Sequence, residues 1–142
     1  MSVTTNKDLA QKVLAVFNSR DLAGLDELYA PDYVHHDPSL PPDVQRGLSN
    51  YKQGVAMFYS AFPDLTGTIE DIIAEGDRVA MRLTWRGTHR GPLMGIPASG
   101  KSAEFSMMQI VRLADNRVVE GWVNFDALGM MTQIGAIPSP VG

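Results

Sequence analysis

Residues 116–135 read NRVVEGWVNFDALGMMTQIG, and the change of period inside them decides the fold. Asn116 opens at a turn, after which Val118, Glu120, Trp122 and Asn124 keep the two-residue period of a strand. From Ala127 to Gln133 the residues suit a helix instead, and Gly135 is a good stop for it. Asp126 stands where the two periods meet. A last strand that runs straight into a short closing helix lines and plugs a pocket, so one wall of a site is expected here.

Working outward, residues 102–113 form the strand before it, and Ala114, Asp115 and Asn116 turn the chain between the two. Residues 78–88 alternate Val79, Met81, Leu83 and Trp85 against Ala80, Arg82, Thr84 and Arg86, which gives one apolar face. A strand over 65–74 precedes them through the turn Glu75-Gly76-Asp77, and the Gly/Pro-rich run HRGPLMGIPASG at 89–100 is a long connection. Three helices come first. Leu9, Val13, Val16 and Phe17 make one stripe over 5–18, with Thr5 and Asp8 as a capping pair. A short helix from Asp21 buries Leu22, Leu25 and Leu28 and ends at Pro31; a third, over 49–62, starts at Ser49 and stops at Pro63. Between them DYVHHDPSLPP, at 32–42, reads as an irregular loop pinned by Pro38, Pro41 and Pro42. Helices followed by an antiparallel meander predict an α+β fold, with helices on one face of a curved sheet.

At 142 residues the chain fits a single domain, and a chain of that size buries roughly 68–70% of its unfolded surface. A net charge of −4 argues against a nucleic-acid or anionic-membrane partner, since both call for a basic face. No apolar run reaches the ~18–20 residues of a membrane span, and MSVTTNKDLAQ lacks the core of a signal peptide. A cytoplasmic protein is expected. The absence of cysteine removes disulfides and thiol catalysis. His35, His36 and His89 show no metal-ligand spacing, and the glycines follow no nucleotide-binding order, so no metal or cofactor is expected.

Taken together, the order of elements, DYVHHDP after two helices, GTHRGPLMGIPASGK between strands, and W-x-x-x-D-x-L-G-x-x-x-Q-I-G at the end resemble the SnoaL-like polyketide cyclases of the nuclear-transport-factor-2-like superfamily. The resemblance runs from about Leu9 to Gly135. It implies a cone-shaped barrel, a curved antiparallel sheet wrapped round three helices plus a short C-terminal helix, with an apolar cavity and a homodimeric state. It also implies ring closure by intramolecular aldol chemistry without a cofactor. The cyclases' acid/base aspartate falls on Val123, their partner histidine on Gln109, a glutamine on Met107 and a loop asparagine on His35.

The residues themselves nominate a site. His35, with Asp37 two residues on, offers an imidazole that titrates near neutrality beside a carboxylate; adjacent histidines in an extended segment point opposite ways, so one faces inward. Gln109 shares a strand face with Phe105, Met107 and Val111 and needs a partner there, whether substrate, water or a buried group such as Tyr33 or His35. Asp126 is either a replacement acid or the N-cap of the closing helix. Tyr33, Phe58, Phe62, Trp85, Phe105, Met107, Val123 and Phe125 are expected to line the pocket, and eight methionines add adaptable apolar surface. Trp122, Met108 and Ile110 fall on the outer face, where they would form a dimer interface. Two functions fit. One is a cyclase, isomerase or hydratase acting on a small apolar carbonyl or hydroxylated compound through His35, Gln109 and Asp126. The other is a non-catalytic homodimer that binds a hydrophobic ligand or serves as an interaction module, for which Val123 is the best support.

Overall fold

A computed structural model of the chain describes residues 2–42 and 45–138. Its five strands form one sheet in the order β1-β5-β4-β3-β2. The meander β2 (Thr66–Glu75), β3 (Arg78–Thr88), β4 (Ser102–Ala114) and β5 (Arg117–Phe125) is antiparallel, as the alternation requires. Gly76 at φ 59°, and Asp115 and Asn116 at φ 53° and 60°, supply the left-handed residues of its tight turns. Val79, Met81, Leu83, Phe105, Val111 and Val123 fall on the buried face.

The helices are α1 (Val3–Ser19), α2 (Leu25–Leu28) after a 3₁₀ turn, α3 (Leu48–Ala61) and α4 (Ala127–Gln133). Their starts differ from expectation in two places. Ser2, not Thr5, caps α1: its hydroxyl accepts the Thr5 amide at 3.0 Å. Gly47, at φ 90°, precedes α3 with no side-chain cap, so Ser49 lies one residue inside that helix.

The larger correction concerns 32–42. Its first half is a strand, β1 (Tyr29–His36), which lies parallel to β5 and makes the sheet mixed. Pro31 sits in it because β1 is an edge strand and the pairing slips between Tyr29 and Val34, so the missing N–H breaks no ladder bond. His35 pairs with Gly121 and His36 with Trp122, which fixes the side chains of the two histidines on opposite faces.

Apolar side chains collect in two clusters. One, under α1, α2 and the start of α3, centres on Leu25, Tyr29, Tyr33, Val79 and Val118; the other, under the end of α3 and α4, centres on Phe62, Leu93, Phe105, Met130 and Ile134. Trp85 packs against both. Between them Tyr51, Val55, Phe58, Met107, Gln109 and Phe125 are only half-buried. These partly buried side chains lie between the two clusters.

The far end of the sheet is tied to α1. The Asn18 side chain donates to the Gly67 carbonyl at 3.0 Å and accepts the Gly67 amide at 2.9 Å, pairing the free edge of β2 as a strand would. Asn18→Ala leaves both groups unpaired and should lower stability by about 1–3 kcal/mol in urea unfolding. An unchanged midpoint would show the edge to be satisfied by water.

Candidate active site

β1 delivers Tyr33, His35 and Asp37 to the same side of the sheet, and all three are buried. The Tyr33 hydroxyl lies 2.9 Å from His35 Nδ1. Room for it comes from Gly121 on β5, where an added Cβ would stand 2.3 Å from that oxygen. Tyr51 of α3 covers the imidazole at a centroid distance of 4.6 Å, and the rings of Tyr29, Tyr33 and Tyr51 crowd together at 4.9–5.4 Å.

Hydrogen-bond accounting sets the tautomer. If Nδ1 carried the proton, the fully buried Tyr33 O–H would lack an acceptor among the described residues, at a cost of about 1–3 kcal/mol. We therefore assign Tyr33 as donor, Nδ1 as acceptor and the ring proton to Nε2. Burial pushes the imidazole pKa down to about 4 against an opposing pull from Asp37, so the ring is neutral at neutral pH. Burial also raises the Tyr33 and Tyr51 phenols. They stay protonated.

Asp37 divides its carboxylate. Oδ1 accepts from the Ser39 amide at 2.9 Å and the Ser39 hydroxyl at 2.6 Å, while Oδ2 stands 4.0 Å from His35 Nε2. Asp37 and Val123 border an open depression of about 270 Å³ that His36, Trp122, Pro38, Gln45 and Asn124 also line, and to which His35 does not contribute. A larger depression of about 550 Å³ between α2 and α3 is edged by Asp26 and Lys52, which pair with each other at 2.8 Å.

On the sheet Gln109 pairs with Val123, and its amide makes no hydrogen bond among the described residues. Beyond Gln109 the packing is aromatic: Phe125 lies 6.0 Å from both Phe58 and Phe105, and Trp85 donates to the Met107 sulfur at 3.4 Å. Asp126 is exposed, and its carboxylate accepts the Gly129 amide at 2.8 Å, which makes it the N-cap of α4.

The family model for SnoaL-like polyketide cyclases matches residues 7–134. The chain belongs to the SnoaL-like polyketide cyclase family. It is 26% identical over 148 residues to aklanonic acid methyl ester cyclase DnrD of Streptomyces peucetius, covering 99% of this chain and 98% of that one. Among solved structures, TsrD from Streptomyces laurentii superposes with a TM-score of 0.84 at 30% identity, covering 96% of this chain and 99% of the other. IdmH from Streptomyces antibioticus gives 0.81 at 37% identity over 92% and 98% of the two chains.

Within this SnoaL-like frame His35 and Gln109 register on the sheet face that carries the core, whereas Asp126 turns to the helix end. Phe62 and Phe105 belong to the second cluster's core, and Tyr33 is bonded to His35. Sequence reasoning passed over Tyr51 and Gly121 and gave Asp37 only a supporting part. The spacing 33/35/37 carried the signal for Asp37, since it puts all three on one face of an extended segment.

Three outcomes follow from this geometry. Because the imidazole pKa falls on folding, the unfolded chain binds the extra proton between about pH 6.5 and about pH 4, so stability should drop as pH falls through that window; His35→Asn should flatten that part of the curve. Gly121→Ala should cost about 1–3 kcal/mol in denaturant unfolding by displacing the Tyr33 hydroxyl. Asp126→Ala should cost about 1 kcal/mol through loss of the cap. A wild-type unfolding curve for any of them contradicts the geometry assigned to it.

Proposed function

We propose that this chain is a cofactor-independent, cyclase-type enzyme, of cyclase, isomerase or hydratase chemistry, acting on a small, largely apolar carbonyl or hydroxylated compound. The observation that carries the reading is the neutral, Tyr33-bonded His35 on the sheet face that also holds Gln109 and Val123. An Nε2–H held in this way stabilises an oxygen that gains charge without first losing a proton to solvent. Gln109, whose side-chain amide has no partner among the described residues, is the second group we assign to that oxygen. Phe58, Trp85, Met107, Val123 and Phe125 supply the apolar surface, and Asp126 serves the fold. Val123 takes the position the resemblance gives to the cyclase aspartate, so proton removal is assigned to another group. The same valine favours the second reading, a non-catalytic homodimer that binds a hydrophobic ligand.

The expected state is a cytoplasmic homodimer formed through the outer sheet face. Ile73, Ala80, Ile110 and Trp122 register in one row across four strands, with Ile110 40% exposed within it and Met108 58% exposed beside it. His36 stacks on Trp122 at 5.1 Å and bonds to Glu120 at 2.7 Å, closing one end of the row. Ile110→Glu should shift the protein to monomer in sedimentation velocity; a monomeric wild type would refute the interface.

The functional test is incubation of the purified protein with polyketide-like carbonyl compounds, aklanonic acid methyl ester among them. One should be converted to an isomer, or to a product differing by one water. His35→Ala should lower kcat/KM by about 10²–10⁴ and Gln109→Ala kcat by about 10²–10³. Tight binding of a compound with no conversion would decide for the ligand-binding homodimer.

A further inference from the structure

The 4.0 Å between His35 Nε2 and Asp37 Oδ2 is too long for a direct hydrogen bond. It leaves a donor and an acceptor, both on buried residues, facing each other. Each is held by a bond on its far side: Tyr33 fixes Nδ1, and Ser39 occupies Oδ1 through its amide and its hydroxyl. Neither group can turn to another partner without breaking those bonds. A single oxygen about 2.8 Å from each would satisfy both. That oxygen must accept from Nε2–H and donate to the carboxylate. A ketone or an ether only accepts, and would leave Asp37 Oδ2 without a donor from the ligand. An O–H group does both. A depression of about 270 Å³, lined by His36, Trp122 and Val123 besides Asp37, opens on the Asp37 side of the pair and holds more than one water, so an organic O–H would arrive from that side.

We propose that Asp37 and His35 together bind the acidic hydroxyl of the substrate, an enol or a phenol, and that Asp37 is the base that takes its proton. In that step the substrate O–H bond breaks, its proton passes to Asp37 Oδ2, and the electron pair stays on the substrate oxygen, which His35 Nε2–H holds. His35 is thus the donor and Asp37 the acceptor of the pair. The proposal rests on the enzymatic reading of this site but is tested by binding alone.

The probes are phenols of graded acidity and their methyl ethers, titrated calorimetrically into the full-length protein. With Asp37 as acceptor, more acidic phenols should bind tighter, and each methyl ether at least about tenfold weaker than its phenol. Asp37→Asn keeps an oxygen for Ser39 but replaces Oδ2 with an amide donor, so it should weaken phenols about tenfold or more and leave the ethers unchanged. Ser39→Ala controls for loop damage, because it spares Oδ2 and should keep the dependence on acidity. The proposal is overturned if no phenol binds, if affinity ignores or reverses with acidity, or if Asp37→Asn binds phenols like wild type. Failure to convert any carbonyl compound would sink the enzymatic reading and leave these affinities standing. Conversion by Asp37→Asn at the wild-type rate and pH profile would remove Asp37 as base and leave the enzymatic reading intact.

Discussion

The site depends on one buried hydrogen bond, from the Tyr33 hydroxyl to His35 Nδ1. It decides which nitrogen carries the proton, and so what the imidazole can offer. With Nδ1 occupied, the ring presents an N–H toward Asp37 in place of a lone pair. Desolvation then keeps the ring uncharged, because an imidazolium enclosed by tyrosine rings would be poorly solvated. The bond in turn requires Gly121, since any larger residue on β5 would occupy the space of the hydroxyl. A glycine on one strand thus sets the chemistry of a histidine on the next.

The apolar core is split in two. Here α3 buries only its two ends, Leu48 and Ala61, and from its middle Phe58 meets the half-buried Phe125 edge-on at 6.0 Å. Trp85, with Gly67 beneath its ring and a contact to the Met107 sulfur, bridges the two clusters. The polar groups Tyr33, His35 and Asp37 gather at β1, and Phe58, Phe105 and Phe125 pack together by the second cluster. Such an arrangement suits a ligand with one oxygenated end and an apolar body.

Much of this was legible in the sequence. Period-2 alternation placed Val123 and Gln109 on the same face, and Asp126 at the change of period has the composition and position of an N-cap, which it is. What escaped was the strand β1. Prolines and paired histidines are poor strand formers, and nothing local says that a parallel partner 84 residues away, with His36 bonded to Glu120, will straighten the segment. Two helix starts escaped for a related reason: Ser2 and Gly47 are as ordinary in a loop as at a cap, and only backbone geometry distinguishes them. The role of Gly121 was hidden because a close approach between strands depends on two residues far apart in the chain.

The account turns on the protonation state of one ring, which long-range ¹H–¹⁵N correlation spectra of His35 read directly. We expect a neutral ring with the proton on Nε2 at neutral pH, persisting until the pH nears 4. Tyr33→Phe should assign the bond by shifting the Nδ1 resonance. A proton on Nδ1, or an imidazolium at neutral pH, would contradict the account.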